Sequence, residues 1–208
     1  DGRGLLVVTK FPRRSPVHRP SYLDYLGVRV FDEAGHIVGE HRFLGLLAAT
    51  AYSESVDHIP GLAEKARELE ASIGFDPDSH GGHVVRQVVN TYPRDELFQA
   101  KVAELAPIVE TVVNLQERRQ VRLFVRADRY GRFVSCTIYL PRDRYNTAVR
   151  TRIAQILMDA LDAETLEHQV QVSESVLARL FFVVKLPDGA RAADVDVAGL
   201  ERRIARSE

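Results

Sequence analysis

At 208 residues, 45% of them hydrophobic and 27% charged, the chain has ordinary globular composition and room for one large domain or two small ones. A formal net charge of −1 argues against general electrostatic attraction to nucleic acid or membranes, and a single cysteine excludes an intrachain disulfide. No apolar run approaches the roughly 18 residues that span a bilayer, there is no signal-peptide pattern, and the lone cysteine suits a reducing interior, so a cytoplasmic protein is expected.

The chain begins at Asp1 instead of methionine and reads as a piece of something longer. Leu5 to Lys10 is a short apolar run expected to stop at Pro12, and Pro12 to Pro20 (PRRSPVHRP) is a turn-rich loop. Residues 22–47 have the pattern of a hairpin, LDYLGVRVF then DEAGH then IVGEHRFLGLLA, with Gly35 supplying the turn. Three strands make half a sheet at most, so this part needs cover from elsewhere.

The middle of the chain is helical. Pro60 opens a segment with Leu62, Ala66, Leu69 and Ile73 on one face, closed by Gly74, and a second helix is expected from Gly82 to Asn90. In TYPRDELF, residues 91–98, a proline stop is followed by Asp95 as the expected helix cap. Leu105, Val109, Val112 and Gln116 line one side of a further helix that Pro107 should kink or restart.

From Val121 the period changes to two. Val121, Leu123 and Val125 alternate with Arg122, Phe124 and Arg126, and Val134, Cys136, Ile138 and Leu140 alternate with Phe133, Ser135, Thr137 and Tyr139, around a turn at Tyr130-Gly131. A helix follows with Val149, Ile153, Ile156, Leu157 and Ala160 on one stripe, introduced by Asp143 and Asn146 as caps. Strands at about 165–173 and 176–186 and a closing helix with Val197, Leu200 and Ile204 inward complete the order ββαββα. That order is a ferredoxin-like sheet with its first βα unit moved to the end, which places the strands in space as third, fourth, second, first, with helices on one face.

The feature that stands out is the stretch from Arg118 to Arg152, where ten arginines and two aspartates give a local charge of +8. In a simple hairpin register Arg122, Phe124, Arg126, Phe133, Thr137 and Tyr139 share one side, away from the helices. Such a face suits three uses: docking against a domain or subunit whose carboxylates pair the arginines, plain solvation, or stacking of single-stranded RNA. Docking is the favoured use and RNA the least favoured. The HGGH at residues 80–83 lacks further ligands at metal-site spacing and reads as helix-start chemistry. Cys136 has the apolar parity of its strand and is expected to be buried. No phosphate loop or nucleophile elbow is present, and no catalytic, cofactor-binding or metal-binding residue is assigned.

Several strings act together: RRSPVHRPSYLDYLGV, GEHRFLGL, FDPDSHGGHVV, TYPRDELF, ERRQVRLFVRADRYGRFVSC, YLPRDRYNT and SESVLARLFFVV. Over nearly the whole length they resemble the amino-terminal half of the large bacterial NAD-specific glutamate dehydrogenases. The resemblance implies a parent enzyme that oxidises L-glutamate with NAD and water to 2-oxoglutarate, ammonium and NADH, with its catalytic domain carboxy-terminal to the region matched. It implies for this chain a regulatory or homo-oligomerisation role without a cofactor of its own, and contacts with other domains of the parent chain. Binding of a small effector, an amino acid or a nucleotide, is the alternative. The fold implied is α+β: a partial PAS-like antiparallel sheet over residues 1–58, a helical connector over 59–118, and an ACT-like ferredoxin-fold domain over 119–208. The permuted strand order and the lack of a glycine-rich loop between a first strand and helix depart from an ordinary ACT domain.

Overall fold

A computed structural model describes residues 4–17, 20–187 and 195–207. The protein is α+β, with a three-stranded antiparallel sheet, a helical layer, and a four-stranded antiparallel sheet carrying two more helices.

The first sheet is a meander of β1 (Leu6–Arg14), β2 (Tyr22–Phe31) and β3 (Ile37–Gly45) in spatial order β1-β2-β3. The β2–β3 turn forms because Asp32 accepts hydrogen bonds from the backbone N–H groups of Ala34 and His36, while Gly35 takes φ +81°, which a side chain would resist. β1 runs through Pro12 instead of stopping at it. The register shifts between Lys10 and Arg14, and such a bulge tolerates a residue that cannot donate to the ladder. Within the loop after β1, residues 18 and 19 lie outside the described residues.

Helix α1 (Ala49–Ser53) and a single 3-10 turn at Val56–His58 lead to α2 (Leu62–Ile73), which Gly74 closes in the left-handed conformation at φ +78°. α3 (His80–Thr91) starts where the Ser79 hydroxyl accepts the Gly82 N–H at 3.0 Å, the helix-start role expected for HGGH. α4 (Arg94–Gln99) and α5 (Val102–Arg118) follow. α5 is one continuous helix across Pro107: burial of Leu105, Val109, Val112 and Leu115 in the helical core outweighs one missing donor. Leu115, not Gln116, is the fourth core position.

The second sheet consists of β4 (Arg122–Ala127), β5 (Phe133–Pro141), β6 (Thr165–Gln171) and β7 (Leu177–Lys185) in the order β4-β5-β7-β6, with every neighbour antiparallel. This is the spatial order expected from the ββαββα pattern. α6 (Thr147–Leu161) starts at Asn146, whose side chain accepts the Val149 N–H at 2.9 Å. Asp143 lies in a 3-10 turn ahead of it and caps nothing there. α6 lays Val149, Ile153, Leu157 and Leu161 on one face of the sheet, and α7 (Val197–Ala205) adds Leu200 and Ile204. Val197 is exposed instead of inward.

Helices do not cover one face alone. The second face of the sheet meets the helical layer through Phe124, Tyr139 and Leu177 and the first sheet through Phe133, Phe181 and Val183, which enclose Tyr22. β5 is buried along its whole length, Ser135 and Thr137 included, because β4 and β7 flank it and both faces of the sheet are covered. Each fully buried aromatic there is worth about 1.5–3 kcal/mol of transfer free energy.

Candidate functional site

The chemistry concentrates on that second face. Pairing of β4 with β5 sets Arg122 opposite Tyr139, Phe124 opposite Thr137 and Arg126 opposite Ser135, so all six residues singled out by the alternation share a side. They do not share a fate. Phe133, Thr137 and Tyr139 are buried, whereas Arg122, Phe124 and Arg126 are half-buried. Phe124 and Tyr139 meet edge to face at 6.3 Å, and Phe133 meets Tyr22 of the first sheet at 4.9 Å. Arg122, at the edge of the sheet, turns back to Glu201 of α7 at 2.9 Å, and the same carboxylate accepts the Leu123 N–H.

The carboxylate that meets Arg126 comes from the chain itself. Glu96 of α4 takes two hydrogen bonds from the guanidinium, both at 2.7 Å, and Gln99 takes a third at 3.1 Å. The Glu96 side chain is 4% exposed and that of Arg126 18%, so this is a desolvated two-point pair and not a surface contact. Burial opposes the charge on Arg126, and the Glu96 contact outweighs it.

Glu96 belongs to a segment whose charge hides its position. Residues 92–97, YPRDEL, are all buried at the meeting point of the three layers. Tyr92 reaches the sheet and hydrogen-bonds with Thr137. Arg94 donates to the Glu54 carbonyl at 2.7 Å. Asp95, expected as a cap, instead pairs with Lys10 of β1 at 3.2 Å, and Lys10 also holds Asp24, its direct cross-strand partner, at 2.6 Å. Burial works against the Lys10 ammonium, but Asp95 and then Asp24 outweigh it and hold its pKa well above the ordinary lysine value. Lys65 of α2 closes the carboxy end of α4 by donating to the carbonyls of Leu97, Phe98 and Ala100.

Beside this cluster lies a cleft of 380 Å³ between the first sheet and β6, lined by Lys10, Tyr22, Asp24, Asp95, Glu167 and His168 among others. Asp128, in the β4–β5 turn, ties the sheets together a second way: it accepts the backbone N–H groups of Arg132 and Phe133 and the hydroxyl of Thr9. Cys136 faces the α6 side with no exposure, and burial pushes its thiol up to about 12, which removes the thiolate at neutral pH. Among the described residues no group of three or more His, Cys, Asp or Glu could hold a metal, and no helix is long and apolar enough to cross a membrane.

Lys10, Asp24, Arg94, Asp95, Glu96 and Asp128 carry the polar junction, and the sequence pattern singled out only Asp95 among them, in the different role of a helix cap. Arg94, Asp95 and Glu96 stood out only as part of TYPRDELF, one of the strings that carry the resemblance.

Residues 59–118 match the family model described as glutamate dehydrogenase, helical motif 1, and residues 122–207 match glutamate dehydrogenase, ACT2 domain. Over 200 residues the chain is 42% identical to the NAD-specific glutamate dehydrogenase of Pseudomonas aeruginosa, over 202 residues 37% identical to that of Halomonas elongata, and over 208 residues 39% identical to that of Mycobacterium tuberculosis. These alignments cover 96%, 97% and 97% of the chain but 12%, 12% and 13% of the relatives, so the chain spans only a small part of the length of the curated relatives it matches.

Proposed function

The chain belongs to the glutamate dehydrogenase family, whose helical motif 1 and ACT2 domain it carries in series, and from that premise we propose that it is a non-catalytic regulatory and assembly segment from the amino-terminal half of an NAD-specific glutamate dehydrogenase. The parent enzyme would convert L-glutamate, NAD and water to 2-oxoglutarate, ammonium and NADH in the cytoplasm, with NAD and the reacting groups held elsewhere in the polypeptide. The partners of the segment would be other domains of that polypeptide and further copies of it.

The observation that carries this reading is the Arg126–Glu96 pair. It clamps the ACT2 sheet to the helical motif across a buried junction, so a displacement of either unit is passed to the other instead of being absorbed by a loose linker. Phe124, Phe133 and Tyr139 lie beneath neighbouring layers, which leaves no open stacking platform for RNA on that face. The test has two arms. The purified chain given glutamate and NAD is expected to form no NADH. In the complete parent enzyme, Arg126→Ala is expected to change assembly or effector response while kcat stays as it was. NADH formation by the chain alone, or loss of turnover in a fully assembled variant, would sink the reading.

A second reading, a small-molecule sensor for an amino acid or nucleotide, draws on the 380 Å³ cleft, whose volume and mixed charges suit a small polar ligand. Calorimetry against amino acids and adenine nucleotides decides it, and absence of heat with all of them counts against it.

A further inference from the structure

Arg179 stands near the amino end of β7, paired with Tyr139 on one side and Gln171 on the other, on the sheet face that α3 and α5 cover. Its Nε and Nη1 atoms are shut off from solvent and, among the described residues, have no acceptor within hydrogen-bond reach. Arg94 shares the condition: its Nη2 donates to the Glu54 carbonyl, while Nε and Nη1 have no partner among the described residues and the residue is 6% exposed. Burial, and then the nearness of Arg179, lowers the Arg94 pKa, so the two cations reinforce each other's positive potential. The other cations at this junction divide: Arg132 donates to the Lys10 carbonyl and Lys65 to the carbonyls of Leu97, Phe98 and Ala100, whereas Lys10 and Arg126 meet carboxylates. Lys10 has two and Arg126 has one.

An unneutralised guanidinium inside a protein costs several kcal/mol, so such a residue points to a missing anion. Arg179 opens onto a small cleft of 40 Å³, and its remaining walls include Thr91 and Gln116 from the helices, Tyr139 from β5, and Ser173 and Ser175 from the β6–β7 turn. No carboxylate is among the lining residues. The Thr91 hydroxyl already donates to the Gln87 and Val88 carbonyls, and Gln116, Gln171, Tyr139, Ser173 and Ser175 supply the remaining neutral hydrogen-bonding groups. Burial pushes the Tyr139 hydroxyl up to about 12, so it keeps its proton at neutral pH and remains a donor. One guanidinium, several neutral donors and no acid make an anion receptor, and planar guanidinium favours a planar oxyanion. The cleft of 40 Å³ exceeds the roughly 10–15 Å³ that a single water needs, which leaves room for one carboxylate group with the remainder of its molecule at the mouth.

We propose that the cleft floored by Arg179 binds the carboxylate group of a small organic acid. The assignment stands on this geometry alone and does not need the regulatory reading of the segment. It predicts a residue kept for a ligand at a cost in stability. The test uses the purified chain with acetate as probe, against chloride and phosphate at matched ionic strength, read by calorimetry and by the thermal midpoint. Acetate is expected to bind saturably and to raise Tm beyond chloride, and Arg179→Gln to weaken that binding about tenfold or more. Without acetate, Arg179→Gln is expected to melt at or above the parent temperature. Should that variant fail to fold, Arg179→Lys keeps the charge but loses the planar fork, and acetate binding is expected to weaken several-fold. Acetate stabilising no more than chloride, phosphate binding in its place, or equal acetate response in parent and variant would each overturn the proposal.

Discussion

Glu96 and Arg126 show how much one buried contact can decide. Removing the carboxylate leaves the arginine desolvated and unpaired, and breaking a buried pair in that way costs about 3–5 kcal/mol. Glu96→Ala is therefore expected to lower unfolding stability by that amount in urea titration, whereas Arg42→Ala, which removes only the exposed partner of Glu40, should change it by less than about 1 kcal/mol. Lys10 gives a pH dependence with a definite sign. Its folded pKa is raised above the ordinary value of 10.5, so the stability it contributes is fully present below about pH 10.5 and is lost as pH rises through the higher folded value. Stability measured from pH 7 to 11 is expected to fall at the alkaline end in the parent protein, and the Lys10-specific part of that fall to be absent in Lys10→Met. A parent curve that superimposes on the variant's would refute the assignment.

At the scale of elements, the apolar periods placed the helices and strands. Leu62, Ala66 and Leu69 recur on one side of α2, and Val149, Ile153 and Leu157 do so on α6, because a period of 3.6 residues must face a core to bury its apolar stripe. The period of two along β4 and β5 likewise set which side chains share a face. Helix starts carry sharper constraints. A Cβ at Gly82 would lie 2.2 Å from the Asp76 carbonyl oxygen and 2.8 Å from the Pro77 Cα, both backbone atoms, whereas at Gly81 it would meet only the exposed ring of Phe75. Gly82→Ala is expected to destabilise by at least about 2 kcal/mol and Gly81→Ala by clearly less, read from thermal midpoints of the two variants. TYPRDELF escaped this logic. Asp95 two residues after a proline has the local signature of a cap, and the local chain contains nothing that reports Lys10 arriving from 85 residues upstream.

At the scale of the whole molecule, the second sheet is the middle layer of a stack, with α6 and α7 on one side and the helical motif and first sheet on the other. Residues 119–208 alone would expose Phe124, Phe133, Tyr139, Leu177 and Phe181 together, an apolar patch of the kind that drives association. That piece is expected to bind a hydrophobic dye and to self-associate, while residues 1–208 unfold in a single cooperative transition. A monomeric, dye-silent 119–208 would show that the two faces are energetically independent. By itself the sequence determined the α+β order, the strand arrangement of the second sheet, the parity of its arginine-aromatic face and the buried Cys136, since each follows from periodicity and turn chemistry within a few residues. Only the tertiary structure decided what covers that face, why six consecutive residues from Tyr92 to Leu97 are buried, and which cations are left without an anion. Pairing of charges depends on distances between segments far apart in the chain, and no local pattern encodes those distances.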